Sequence, residues 1–189
     1  MPKVLVLNHR GVSLASLVNL LGAFGAKIDL VEPETIAGPL PVRGYDGVVA
    51  SGGYLKGATH RETLRRYSMF FEQLESPFLG ICLGMKILGH CYGARMGATA
   101  PVVGAQRVSL RGFPLCPGLS EFTVQQNHRY ELLRPLPGAL EDFTADGYSV
   151  QAVRVVGREQ YAVQFHPEVG SGPAQVIIKN FVTECSQGT

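Results

Sequence analysis

The run Phe78-Leu79-Gly80-Ile81-Cys82-Leu83-Gly84-Met85-Lys86 decides how this chain is read. A short apolar stretch enters it, a cysteine follows between two glycines, and an apolar helical pattern leaves it through about Tyr92. The pattern predicts a buried strand, a sharp turn and a helix, with one thiol at the apex. Such an apex lies at the carboxyl end of a strand, where open α/β sheets place their ligands. It is also a helix N-terminus, where the dipole and free N–H groups favour a thiolate. Gly80 and Gly84 allow the tight bend and the approach of a substrate that a nucleophile elbow requires. A buried structural cysteine is the plainer alternative, but this setting favours a nucleophile at Cys82.

A cysteine nucleophile needs a base, and a second stretch supplies one. Gln160-Tyr161-Ala162-Val163-Gln164-Phe165 alternates and then runs apolar, which predicts a strand ending at His166-Pro167-Glu168. In extended backbone, residues two apart point the same way, so His166 and Glu168 can project together. Pro167 biases His166 toward extended backbone and marks where strand pairing stops. A carboxylate beside an imidazole raises its basicity and orients it, which is the logic of a catalytic triad. Cys82, His166 and Glu168 form one coherent set.

A third stretch fits the same end of a sheet. Asp46-Gly47-Val48-Val49-Ala50 predicts a strand, and Ser51-Gly52-Gly53-Tyr54 follows it. Adjacent glycines there can present backbone N–H groups to an anion, although an ordinary glycine turn has the same composition.

The remaining elements alternate. Val4-Leu5-Val6-Leu7 is a buried parallel-type strand. Ser13 is placed to cap a helix that carries Leu14, Leu17, Val18, Leu21 and Phe24 on one face and closes at Gly25. Lys27 to Val31 is a second strand, and Thr59-His60-Arg61-Glu62 is a capping box opening a helix to about Leu74. From Arg95 to Arg158 short strands are broken by glycine and proline, as expected for antiparallel strands on the sheet edge. Gly172-Pro173 opens a last helix, with Val176, Ile177 and Phe181 on its buried face. The expected fold is α/β: a mostly parallel central sheet flanked by helices, with an antiparallel edge in the second half, forming a single domain over residues 1–189.

Composition agrees with a compact enzyme. The 189 residues are 46% hydrophobic and 17% charged, which suits a filled core rather than a disordered tail. A net charge of +2 with mixed signs gives no extended basic field for nucleic acid. No apolar stretch is long enough to span a bilayer, and Met1-Pro2-Lys3 leads straight into the first strand without a signal-peptide pattern. Cys82, Cys91, Cys116 and Cys185 show no paired metal-binding spacing, so no metal and no cofactor are expected. The expected location is a reduced cytoplasm.

The elbow Gly80-Ile81-Cys82-Leu83-Gly84 and the stretch Gln164-Phe165-His166-Pro167-Glu168-Val169 closely resemble the class I (triad) glutamine amidotransferases. The two motifs stand in the family's order and separation, so the resemblance covers essentially the whole chain. It implies a three-layer, flavodoxin-like fold and a glutaminase in which Cys82 attacks the side-chain amide of L-glutamine. His166 would protonate the leaving ammonia and activate water, with Glu168 orienting it. The backbone of Gly52 and Gly53 and the N–H of Leu83 would stabilise the oxyanion. Gly84, Lys86, Asn127 and His128 would border the substrate.

This chain departs from the family at two positions: Tyr54 replaces the usual proline and Lys86 the usual glutamine. Gln126-Asn127-His128 resembles the carbamoyl phosphate synthetase small subunit, whereas the chain length and Lys179-Asn180-Phe181 are similar to separate GMP synthetase glutaminase subunits. No Walker-type phosphate loop is present, so an ATP-dependent synthetase subunit is the expected ammonia acceptor. Two alternatives stay open. One is a partner-independent Cys–His hydrolase of another γ-glutamyl compound, and the other a catalytically silent regulatory subunit.

Overall fold

The computed structural model describes residues 1–36, 38–41, 43–54, 60–170 and 172–187. Strands β1 (Lys3–His9), β2 (Lys27–Val31), β3 (Gly47–Gly53), β4 (Phe78–Ile81) and β9 (Gln160–Val163) pair in parallel. Strands β7 (Leu140–Asp142) and β8 (Ala152–Val155) add to β9 antiparallel, giving the order β2-β1-β3-β4-β9-β8-β7.

Strand alternation sorts the apolar residues onto two buried faces. Val4, Val6, Val49, Leu79 and Ile81 face a core with α1 (Leu14–Ala23) and α4 (Gln175–Cys185). Leu5, Leu7, Val48, Ala50 and Phe78 face α2 (His60–Gln73) and α3 (Leu83–Cys91). Both faces are covered, as a parallel sheet requires, and the three-layer expectation holds. The order reverses direction between β1 and β3, so the carboxyl ends of these strands flank the crevice where such sheets place their ligands.

Several local expectations are corrected. Strand β3 continues through Ser51 and Gly52 to Gly53, because Gly53 pairs with His9 of β1. Strand β9 stops at Val163, two residues before the predicted end. The Gln164 amide donates to Gln151 O at 2.9 Å and the His166 amide to Gln125 O at 2.9 Å, which takes the chain off the β4 ladder. Within Arg95–Arg158 only β7 and β8 join the sheet edge. Strands β5 (Met96–Ser109) and β6 (Glu121–Leu132) form their own antiparallel ribbon. One face of β6 packs Phe122 and Val124 on the core while the other meets solvent.

Helix α4 begins at Gln175, because Pro173 and Ala174 form a turn ahead of it. Its buried face is Ile177, Ile178, Phe181, Val182 and Cys185, with Val176 only partly covered. In α1, Leu17 and Leu21 are buried, while Leu14 and Phe24 pack at the margin of the core. The predicted capping residue Thr59 lies outside the described residues. No helix among the described residues is long and apolar enough to cross a membrane.

Candidate active site

Cys82 joins β4 to α3 with φ 51° and ψ −91°, a backbone conformation that costs a non-glycine residue energy and occurs preferentially at functional sites. The flanking glycines make the bend feasible. A Cβ on Gly80 would meet Gly84 C at 2.7 Å, and one on Gly84 would meet Ala50 O at 2.5 Å. The apex therefore presses against β3, and the sulfur stands at the helix N-terminus.

Two more strand ends converge on it. His166 stands beside Cys82, and each shifts the titration of the other. His166 Nδ1 lies 2.8 Å from Glu168 Oε1. This contact is made by a turn rather than by the predicted extended strand end. The Val169 amide donates to His166 O at 3.2 Å, with Pro167 at the second position, where turns favour proline. A Cβ on Gly52 would fall 2.7 Å from His166 Cε1 and 3.6 Å from Cys82 Cβ, so this backbone lies against both side chains. Leu83, directly after Cys82, opens α3 with its backbone at the same apex.

The sulfur has further neighbours. Lys86 Nζ lies 3.5 Å away and Gln164 Nε2 3.8 Å away, both as donors, and Asn127 O lies at 3.8 Å as an acceptor for the thiol. Burial pushes the Cys82 thiol up, but the hydrogen bond from His166 and the charges of Lys86 and His166 outweigh it, leaving the thiol below its ordinary value. Burial likewise lowers His166, yet its hydrogen bonds and charge interactions with Cys82 and Glu168 raise it to about 10. Both shifts run in the direction of a thiolate–imidazolium pair.

The sequence-predicted residues behave differently from one another. Asn127 brings only its backbone to the sulfur and its residue is exposed, because alternation along β6 turns Gln126 and His128 inward instead. His128 Nε2 donates to Gln126 Oε1 at 2.6 Å, Gln126 Nε2 to Gln151 Oε1 at 3.0 Å, and Gln151 Nε2 to Ser149 Oγ at 3.0 Å. Burial, with Lys86 nearby, lowers His128 to about 4. Tyr54, where the family carries proline, is exposed at the end of β3.

Sequence reasoning missed two contacts. Ser13 is the N-cap residue of α1 as expected, but its hydroxyl makes no capping bond: it donates to Glu168 Oε1 at 2.5 Å and lies 3.4 Å from His166 Nδ1. Its position in the loop after β1, beside the crevice, was the available signal. Gln164 lies two residues before His166, and that spacing could have flagged it as facing the same site. Beside the end of β3, His9 Nδ1 donates to Ser51 O at 3.2 Å and His9 Nε2 accepts from Tyr67 Oη at 2.7 Å. Burial lowers His9 to about 4 despite the bond to Ser51, so it is neutral.

Comparison with known proteins gives a consistent result. The family model "Glutamine amidotransferase class-I" matches residues 5–185. A glutamine-hydrolyzing GMP synthase subunit of Thermoplasma acidophilum is 34% identical over 151 residues, covering 76% of this chain and 74% of that protein. The subunit of the same name from Saccharolobus solfataricus is 27% identical over 170 residues, covering 85% and 87%. A crystal structure of a Thermoplasma acidophilum protein described as a GMP synthase subunit superposes with a TM-score of 0.85 at 28% identity, covering 100% of this chain and 96% of that one.

Proposed function

The chain belongs to the class-I glutamine amidotransferase family, and from that premise we propose that it hydrolyses L-glutamine at Cys82 and passes the ammonia to an ATP-dependent synthetase subunit, GMP synthetase foremost. The Cys82 thiolate attacks the γ-carbonyl carbon, and the carbonyl π electrons move onto oxygen. The N–H of Leu83 and the backbone of Gly52 and Gly53 stabilise that oxyanion; such a donor is worth about 3–4 kcal/mol of barrier in measured hydrolases. His166 gives its proton to the departing nitrogen, the C–N bond breaks, and ammonia leaves a glutamyl thioester. Neutral His166 then takes a proton from water as the water oxygen attacks, and the thiolate departs to leave glutamate. Glu168 holds the imidazole and its charge through both halves.

The observation that carries this reading is the convergence of Cys82, His166 and Glu168: the Gly52 backbone lies against both Cys82 and His166, and Nδ1 of the imidazole is 2.8 Å from the carboxylate. The GMP assignment is supported by the two relatives, whose names state glutamine hydrolysis and a subunit of GMP synthase. Ammonia release from glutamine, with and without ATP and a GMP synthetase subunit, tests it. Turnover that C82A abolishes, and that the partner stimulates, is expected. Absence of C82A-sensitive turnover in both conditions refutes it. One observation favours a second substrate. Lys86 cannot accept a hydrogen bond where the family carries glutamine, so partner-free turnover of another γ-glutamyl compound, with none on glutamine, would replace the first reading.

A further inference from the structure

Lys86 stands one helical turn after Cys82 on α3, and its side chain folds back toward the helix N-terminus, the direction helical side chains take. It is only 8% exposed. Its Nζ donates to Cys82 O at 3.2 Å and to Cys82 Sγ at 3.5 Å. A buried ammonium is costly unless a countercharge meets it. The carbonyl is neutral, whereas the sulfur in contact with Nζ can carry a full negative charge.

We propose that Lys86 is a catalytic residue of this chain: its ammonium is the standing counter-ion of the Cys82 sulfur, stabilising the thiolate before attack and again as it leaves the thioester. The proposal rests on the reading of Cys82 as the nucleophile. With His166 alone, the thiolate would lose its cation whenever the imidazole gave up its proton. Lys86 removes that dependence, because it neither gains nor loses a proton in the cycle. During thioester breakdown the C–S bond electrons return to sulfur beside a charge already in place, which lowers the cost of the leaving group.

The ionisable groups bearing on the pair come from several elements. His166 follows β9, while Glu131 and His128 lie on β6. Burial lowers Lys86 more than Cys82 and Glu131 raise it, leaving it below its ordinary value, and Lys86 in turn lowers both Cys82 and His128. Those mutual effects agree with the geometry.

The test is the rate of Cys82 alkylation by iodoacetamide as a function of pH, located by peptide mass mapping, in the full-length chain and in K86M, K86Q and K86R. Loss of the ammonium in K86M and K86Q is expected to move the profile upward, lowering labelling at about pH 6 roughly tenfold. At alkaline pH the order reverses, because a thiolate of higher pKa is intrinsically more nucleophilic. K86R retains the charge and stays near the parent. K86Q keeps a polar side chain of similar reach, so it supplies the contrast if K86M does not fold by circular dichroism. Profiles of K86M or K86Q that superimpose on the parent overturn the proposal. Glutamine turnover, scored separately, keeps the two readings apart. Labelling that depends on Lys86 without turnover refutes the glutaminase and not the ion pair; turnover with Lys86-independent labelling does the reverse.

Discussion

Ser13 Oγ donates a hydrogen bond of 2.5 Å to Glu168 Oε1, the same oxygen that faces His166 Nδ1 at 2.8 Å. The segments that follow β1 and β9 thus meet on one carboxylate oxygen. A hydrogen bond to a charged group is worth about 1.5–3 kcal/mol, and here it fixes where the imidazole points. Loss of the hydroxyl in S13A is expected to lower kcat for glutamine about tenfold with KM little changed. Steady-state kinetics check this, and an unchanged kcat would show that Glu168 is held without Ser13.

The two faces of the glycine requirement can be separated by substitution. A Cβ on Gly84 would enter the space of Ala50 O and Ala50 Cβ, at 2.5 and 2.9 Å. G84A is expected to cost about 1–3 kcal/mol in urea unfolding, because β3 and α3 must move apart. Gly22, exposed within α1, has only Ile28 Cδ1 at 3.9 Å. G22A is expected to add up to about 1 kcal/mol through helix propensity.

His9 sets an acid limit on stability. Burial lowers it in the folded chain to about 4, from an ordinary 6.5. The unfolded chain therefore binds a proton that the folded one refuses as pH falls below 6.5. Its contribution is fully present above that value and is lost as pH falls through about 4, with a total on the order of 3 kcal/mol. Thermal melts across this range are expected to fall steeply for the parent chain and less steeply for H9Q. Equal slopes would contradict a neutral buried His9.

The elbow was legible because everything that defines it is local. An apolar strand, two glycines around a cysteine and a helical pattern occupy nine consecutive residues, and the bend they predict is the one Cys82 adopts. His166 and Glu168 were legible as a pair for the same reason, but not the turn that joins them. Proline is compatible both with an extended strand end and with the second position of a turn. Ser13 was placed correctly at the start of α1, because a serine before an apolar helical run is a good cap on local grounds, but the partner of its hydroxyl was missed. The carboxylate that claims its hydroxyl lies 155 residues away. The β5–β6 ribbon was recognised as antiparallel strands, yet alternation carries no information about which strand is the neighbour. Lys86 stood out by type, and only the backward fold of its side chain reveals the sulfur as its partner.

The central claim is that the sulfur of Cys82 attacks the side-chain carbonyl carbon of glutamine, and covalent capture tests it most directly. Incubation with a diazo-ketone analogue of glutamine, followed by peptide mass mapping, is predicted to give one adduct, on Cys82. Excess glutamine should prevent it, and H166N should slow it. An adduct on Cys91, Cys116 or Cys185 in its place, or an unlabelled Cys82 in a chain that still hydrolyses glutamine, would contradict the account.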